Sequence, residues 1–329
     1  MDLNTISLLI FGLTVLIIGG NLLLKAAVSI SLRFGIPKLL IGMTVVSLAT
    51  SAPELIVSIK SALKGSPDLA ISNVLGSNIA NLGLVLGITI LFSPISISKS
   101  VYRKEWPIMM FSAIYFLIVI VDGTISKIEG GILVCFLVMT ISALIKLRDK
   151  SEVELENSNE DSLFKSLFIL FFGGLFLYYG SEWFIDGAIM LANSFGISER
   201  IIGITVVSVG TSIPELVTSL VAVFNKEKSI SLGNLLGSNI FNVFAVLGIT
   251  SLVTPLTVLD QSIINYDIYV MLFFAAIILP LIFFPKKLVL GRKEGIIILL
   301  FYTLYVYQLL INYVISILNI FLVIKTRMG

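Results

Sequence analysis

Two glutamates, Glu54 and Glu215, lie in the middle of long apolar stretches among residues that carry oxygen atoms. On a helix, Ser47, Thr50, Ser51 and Glu54 fall at positions i, i+3, i+4 and i+7, which places them on one face. Such a face suits a hard cation, because Ca²⁺ takes about six to eight oxygen ligands. A proton is the other species that can neutralise these carboxylates, since neither SLATSAPEL nor SVGTSIPEL contains a Lys or Arg.

More oxygen donors lie in the apolar stretch that follows each glutamate. Ser77 and Asn81 are four residues apart and share a helical face, as do Ser238 and Asn242. The chain has no histidine and one cysteine, which excludes His-ligated zinc, Ser/His/Asp catalysis and cysteine-rich metal sites. The candidate ligands therefore all offer oxygen: Glu54, Glu215, Thr50, Ser51, Thr211, Ser212, Ser77, Ser238, Asn81, Asn242, Ser47 and Ser208.

A constant offset of 161 residues aligns the two halves of the chain without a gap. Residues 35–59 match residues 196–220 at 14 of 25 positions, and residues 71–88 match residues 232–249 at 11 of 18. Polar residues are among the identities, so shared hydrophobicity alone does not explain the match. The sequence thus contains an internal repeat whose polar residues are duplicated.

The composition is that of an integral membrane protein. Hydrophobic residues make up 57% of the 329 residues and charged residues 13%, about half the charged share of a soluble protein. A helix needs roughly 20 apolar residues to cross the hydrocarbon layer. On that criterion we predict an all-α protein with ten transmembrane helices, at 5–32, 38–62, 69–94, 106–122, 128–146, 164–194, 198–224, 229–255, 267–285 and 295–318.

The distribution of Lys and Arg predicts the orientation. With the N-terminus outside, the inner connections hold 15 of these residues and the outer ones 6. Both termini are then extracytoplasmic, and the polar stretch 148–161 is a cytoplasmic linker between five-helix repeats at 1–147 and 162–329. Since each repeat has an odd number of spans, the second is inverted, which is an architecture typical of secondary transporters.

Several other polar residues in the repeats fit a structural role better than a binding role. Hydroxyls and amides in membrane helices commonly serve helix packing. Intramembrane carboxylates, by contrast, are functional by default. We therefore interpret the following as packing residues: Ser58, Ser219, Asn73, Asn234, Asn78 and Asn239.

The paired stretches ATSAPEL with GSNIANLGLVLG, and GTSIPEL with GSNIFNVFAVLG, resemble the two alpha repeats of the cation/calcium antiporter superfamily, the sodium/calcium exchangers of prokaryotic type. The resemblance implies exchange of Na⁺ for Ca²⁺ by alternating access in a prokaryotic inner (plasma) membrane. It implies Glu54 and Glu215 as the principal ligands, with oxygens from Thr50, Ser51, Thr211 and Ser212. It also implies Na⁺ ligation by Ser77 and Ser238, a central place for Asn81 and Asn242, and backbone carbonyls from Ser47 and Ser208.

Three alternatives remain at this point. Ca²⁺/H⁺ exchange is the nearest, because a buried glutamate can carry a proton. A channel and an intramembrane aspartyl protease are less favoured, since the repeated acids are glutamates set among ligand-type oxygens. Asn242, where potassium-dependent relatives have Asp, argues against K⁺ coupling. We expect no cofactor, no nucleic-acid or protein partner and no enzymatic activity. The expected partners are Ca²⁺, Na⁺ and the lipid bilayer, with H⁺ as a partner in the Ca²⁺/H⁺ alternative.

Overall fold

The computed structural model describes residues 3–146, 162–194 and 208–328, and the described part is overwhelmingly α-helical. The predicted linker 148–161 and residues 195–207, which include the start of the second copy of the duplicated motif, lie outside the described residues. The helices are α1 Leu3–Phe34, α2 Lys38–Thr50, α3 Ala52–Leu63, α4 Pro67–Phe92, α5 Trp106–Ile120, α6 Lys127–Lys146, α7 Leu163–Ser194, α8 Ser208–Gly210, α9 Ile213–Phe224, α10 Lys228–Val253, α11 Ile263–Phe283 and α12 Arg292–Met328.

Seven of these helices are long and apolar enough to cross a membrane by themselves: α1, α4, α6, α7, α10, α11 and α12. The pair α2 and α3 forms an eighth span if it is counted as one element, because the two helices are bent by 43° at a short break. Helix α9 is shorter than a single span requires, and α5 is not among the helices that qualify as spans. The described residues thus form an all-α protein with seven or eight apolar spans, and the count of ten stays a prediction.

Helices α4 and α10 form the centre of the protein. In the most apolar 18-residue stretch of each helix, 78% of α4 and 83% of α10 is buried, against 28% of α1 and 22% of α7. Helix α10 crosses α2 closely, because Gly42 and Gly233 face each other with no room for a Cβ: each would overlap the opposite backbone, at the carbonyls of Ile230 and Leu39. Small residues at such crossings let two membrane helices approach to backbone contact.

Helices α2, α4 and α10 each contain one π-helical turn within the repeated motifs. These turns span Gly42–Val46 in α2, Asn81–Val85 in α4 and Asn242–Leu247 in α10. A further π-helical turn, Val101–Glu105, leads directly into α5, and another, Ile263–Asp267, forms the start of α11. A π-helical turn interrupts the regular hydrogen-bond ladder and often marks a functional position. Two of the turns begin at the candidate ligands Asn81 and Asn242.

Two short antiparallel ribbons join the halves of the chain. Strand β1 (Ile95–Ser96) pairs with β4 (Val289–Leu290), with Ile95 opposite Leu290. Strand β2 (Thr124–Ile125) pairs with β3 (Leu256–Thr257), with Ile125 opposite Leu256. Strand β1 follows α4 and β3 follows α10, so each ribbon combines one strand from each half.

Candidate cation site

Each glutamate lies in the first turn of a helix that begins at an interruption. Helix α3 follows Ser51, whose backbone is not helical (φ −87°, ψ 4°), and places Glu54 in its first turn. Helix α9 follows Ser212 (φ −91°, ψ 5°) and places Glu215 in the same position. The N-terminus of a helix carries about half a positive charge, which favours a carboxylate there. Pro53 and Pro214 suit this location, because backbone N–H groups in the first turn of a helix have no partner within the helix, so the missing N–H of proline costs no hydrogen bond.

The structure brings the two glutamates together. Both are fully buried, and Glu54 lies close enough to Glu215 for the two charges to repel each other. Thr50 and Ser51 approach the Glu215 carboxylate closely enough to interact with it. Nevertheless, within the described residues no protein group makes a hydrogen bond of good geometry to any of the four carboxylate oxygens. An uncompensated carboxylate in this environment costs several kcal/mol, so the pair calls for a neutralising ion or proton.

Hydroxyls from one half of the chain contact polar groups of the other. Thr50 Oγ1 donates to Asn234 Oδ1 at 3.1 Å and lies 3.4 Å from Ser238 Oγ. The copy-related contact joins Ser77 Oγ to Thr211 Oγ1, also at 3.4 Å. Four of the predicted ligands are therefore paired across the two copies of the motif.

Four further predicted ligands are buried and carry polar atoms with no hydrogen-bond partner in the described part of the chain. These atoms are the hydroxyls of Ser51 and Ser212, both amide atoms of Asn81, and the amide oxygen of Asn242. Buried polar groups in proteins are normally hydrogen-bonded. A cluster of unpaired oxygens beside two carboxylates is thus a set of atoms suited to holding an ion.

Ser47 is positioned differently from the other candidates. Its hydroxyl donates to the carbonyls of Gly42 at 2.7 Å and Asn234 at 3.2 Å, and its own carbonyl accepts the Ser51 N–H at 2.8 Å. Thr50 Oγ1 also lies 3.4 Å from that carbonyl oxygen, so an ion there would compete with this hydroxyl for the second lone pair. Ser208 begins α8, and its side chain lies outside the described residues.

Five of the six polar residues interpreted as packing residues make interhelical contacts through their side chains, and Asn239 is the exception. Asn73 Nδ2 donates to the Glu54 carbonyl at 3.2 Å and to Ser58 Oγ at 3.0 Å. In the second copy, Asn234 Nδ2 lies 3.5 Å from Ser219 Oγ. These bonds tie the glutamate-bearing helices α3 and α9 to the central helices α4 and α10, as the packing interpretation predicts.

Sequence reasoning missed Thr218, which is fully buried and whose hydroxyl has no partner among the described residues. It lies three residues after Glu215, on the same side of α9. The copy-related residue is Val57, so a search for duplicated polar residues overlooks it. The available signal was a hydroxyl at helical spacing from the glutamate.

The donor set fits Na⁺ and Ca²⁺. Every candidate atom is an oxygen apart from the amide nitrogens, and such hard cations bind carboxylate, carbonyl and amide oxygens. No group of three or more His, Cys, Asp or Glu residues that could hold a metal occurs in the ranges that the structure covers. The site therefore combines two carboxylates with neutral oxygens.

Comparisons with known proteins bear on the family and the fold of the chain. The sequence pattern of the family described as "Sodium/calcium exchanger protein" matches residues 4–146 and 165–311. The chain is 36% identical over 306 residues to the inner membrane protein YrbG of Escherichia coli, covering 89% of this chain and 92% of the relative. It is 31% identical over 336 residues to the sodium/calcium exchanger MaX1 of Methanosarcina acetivorans, covering 90% and 95%.

Among solved structures, the fold is similar to that of the sodium-calcium exchanger NCX_Mj studied with zero Na⁺ and Ca²⁺. The TM-score is 0.80 at 29% sequence identity, and the similarity covers 94% of this chain and 100% of that chain. The similarity thus extends over nearly the full length of both chains and confirms a multi-pass membrane fold. Together with the family match, it shows that this chain belongs to the sodium/calcium exchanger family, whose members are transporters and not enzymes.

Proposed function

We propose that this protein exchanges Na⁺ for Ca²⁺ across the plasma membrane, with Glu54 and Glu215 as shared cation ligands near the membrane midplane. The observation that supports this most strongly is that two fully buried carboxylates from different halves of the chain lie near enough for their charges to interact. Proteins whose similarity extends over nearly the whole chain include ones described as sodium/calcium exchangers.

Charge balance gives the proposed site its exchange property. Two carboxylates balance the charge of one Ca²⁺, whereas more than one Na⁺ is needed to balance the same pair. Because both loads use the same oxygens, they compete, and binding of one releases the other. An unloaded site carries two uncompensated charges, which are costly to enclose in a low-dielectric interior. This cost opposes a change of access without a bound ion and so suppresses leak.

The proposed ligand set is the duplicated one. Glu54 and Glu215 supply the charge, and Thr50, Ser51, Thr211 and Ser212 supply hydroxyl or carbonyl oxygens. Ser77 and Ser238 are the proposed Na⁺ ligands, and Asn81 and Asn242 are proposed to line the middle of the ligand cluster. Ser47 and Ser208 complete the set through backbone carbonyls.

The proposed topology has ten spans in two inverted repeats, 1–147 and 162–329, joined by a cytoplasmic linker at 148–161, with both termini outside. The two ribbons support an approximate two-fold relation, since β1 with β4 and β3 with β2 are corresponding pairs in the two halves. The excess of Lys and Arg in the predicted inner connections supports the orientation.

Transport by the purified protein in liposomes tests the proposed function. Vesicles loaded with Na⁺ and diluted into Na⁺-free buffer at equal pH, with a protonophore present, should accumulate ⁴⁵Ca²⁺. Vesicles loaded with choline should not, and an imposed K⁺ gradient at equal Na⁺ should not drive uptake. Uptake that is independent of Na⁺ would contradict the proposal.

Ca²⁺/H⁺ exchange at the same site is the second candidate. It is favoured by the absence of hydrogen-bond partners for the carboxylate oxygens in the described chain, because a proton neutralises such a group as a cation does. A pH gradient in Na⁺-free vesicles separates the two functions. Ca²⁺ uptake driven by that gradient alone would establish proton coupling, and its absence would favour Na⁺.

A further inference from the structure

We propose that Asn78 is a positioning residue that fixes the orientation of the Asn242 amide, so that the oxygen of Asn242 and not its NH₂ group is available to the cation. This inference rests on the proposed function. Asn78 is buried, lies one residue after the candidate ligand Ser77, and is assigned only a packing role by its sequence context.

The orientation of the Asn78 amide is determined by a neighbouring group that can only accept a hydrogen bond. The backbone carbonyl of Asn239 accepts from Asn78 Nδ2 at 3.3 Å. Since a carbonyl oxygen has no proton to donate, this contact requires the NH₂ group of Asn78 at that end. The second neighbour of the NH₂ group is Met271 Sδ at 3.6 Å, which is also an acceptor and favours the same orientation.

The orientation of Asn78 then determines that of Asn242. With its nitrogen bound to the Asn239 carbonyl, Asn78 presents Oδ1 at its other end, and this oxygen accepts from Asn242 Nδ2 at 3.1 Å. The NH₂ group of Asn242 is thereby used within the protein. Its oxygen remains fully buried, with no partner in the described ranges. Amide orientation is set by such networks, and a flipped Asn242 would place an oxygen against the oxygen of Asn78.

The copy-related position lacks this arrangement. Asn239, which corresponds to Asn78, turns its NH₂ group back to the carbonyl of Leu235 in its own helix at 2.8 Å. The side-chain amide of Asn81, which corresponds to Asn242, has no hydrogen bond within the described residues. The positioning effect is therefore specific to Asn242, and Asn78 contributes to cation affinity through an amide that it holds and not through its own contact with the ion.

A double-mutant cycle with Asn242→Asp tests this inference, because an aspartate offers oxygen in either orientation and needs no positioning. We measure the Ca²⁺ concentration that half-saturates Na⁺-driven ⁴⁵Ca²⁺ uptake. Asn78→Ala should raise it about tenfold in the wild-type background, equivalent to about 1.4 kcal/mol. In the Asn242→Asp background, Asn78→Ala should raise the half-saturating Ca²⁺ concentration by less than about twofold, a change no larger than that expected for independent sites. Asn239→Ala, which removes the copy-related amide that bonds only within its own helix, is the matched control and should change the half-saturating concentration by less than about twofold.

Two outcomes of the double-mutant cycle would overturn the inference. An unchanged half-saturating concentration in Asn78→Ala, or an equal rise in both backgrounds, would mean that Asn78 serves packing alone. If Asn78→Ala does not yield folded protein, Asn78→Ser is the second variant, since its hydroxyl is too short to connect both neighbours. Absence of Na⁺-driven uptake by the wild-type chain would instead contradict the proposed function, so the two failures are distinguishable.

Discussion

The two copies of the motif place their acids at corresponding positions but arrange their amides differently. Glu54 and Glu215 are each fully buried in the first turn of a helix, and neither carboxylate has a hydrogen-bond partner in the described part of the chain. Among the amides, Asn242 is bonded to Asn78, whereas Asn81 makes no such bond with a described residue. The charge of the candidate site thus follows the duplication, while its amides differ between the two sides. At the proposed site, an ion would meet two carboxylates at corresponding positions and two unequal amides.

The largest effect should come from the acids, and it should be equal in the two copies. Glu54→Gln and Glu215→Gln each remove one of two charges, so we expect Na⁺-driven ⁴⁵Ca²⁺ uptake to fall at least about 100-fold in either variant, since charge count sets Ca²⁺ affinity. Glu182→Gln, which changes an exposed glutamate in α7, is the control and should retain activity. Substantial uptake by one glutamine variant but not the other would break the equivalence of the acids.

The next effect concerns the close crossing that holds the second copy against α2. A Cβ added at Gly237 would overlap Ser47 Oγ and the backbone of Met43. We expect Gly237→Ala to destabilise the protein by about 1–3 kcal/mol, the range for overpacking. The measurement is the apparent unfolding midpoint of the purified protein. Gly131→Ala in α6, where the added Cβ meets only Leu252 Cδ2 at 3.9 Å, is the control. Equal midpoints for the two variants would contradict the role of this crossing.

Two hydroxyls that are equivalent in the two copies should have a smaller and matched effect. Ser51 and Ser212 each precede a glutamate-bearing helix, and each hydroxyl is buried without a partner in the described residues. We expect Ser51→Ala and Ser212→Ala each to raise the half-saturating Ca²⁺ concentration about fivefold, which corresponds to about 1 kcal/mol.

The control for the serine pair is Ser112→Ala. Its hydroxyl is also buried but donates to the Met109 carbonyl in its own helix at 2.7 Å. A rise in the half-saturating concentration as large in Ser112→Ala as in the motif variants would show that the two motif hydroxyls have no specific role.

The smallest effect should come from Thr218, which has no hydroxyl counterpart in the first copy. Thr218→Val makes the two copies alike at this position, because the corresponding residue is Val57. If the hydroxyl assists the ion only from the edge of the site, the half-saturating Ca²⁺ concentration should rise about twofold, near the lower end for a single hydrogen-bonding group. A tenfold rise would instead make Thr218 a direct ligand and extend the asymmetry beyond the amides.

The duplicated polar residues made much of this site predictable from sequence. Glu54 and Glu215 are recognisable because intramembrane acids are costly, and Pro53 and Pro214 mark the helices that carry them. The all-α membrane fold follows from the long apolar stretches, and the family resemblance drawn from the two motifs is confirmed by the comparisons.

Other features could not be predicted because they depend on packing between distant segments. The direction of an amide is set by its neighbours in space, so the bond from Asn242 to Asn78 has no signature in either motif. The hydrogen bond from the Ser47 hydroxyl to the Asn234 carbonyl likewise depends on how α2 and α10 cross. Thr218 escaped notice because a comparison of copies selects only what is shared.

Equilibrium binding of ⁴⁵Ca²⁺ to the purified protein, with and without Na⁺, tests most directly whether the two glutamates hold one ion together. We expect one Ca²⁺ per chain, displaced by Na⁺, and loss of this binding in both Glu54→Gln and Glu215→Gln. Full binding retained in either variant, or Ca²⁺ that Na⁺ does not displace, would contradict a shared exchange site.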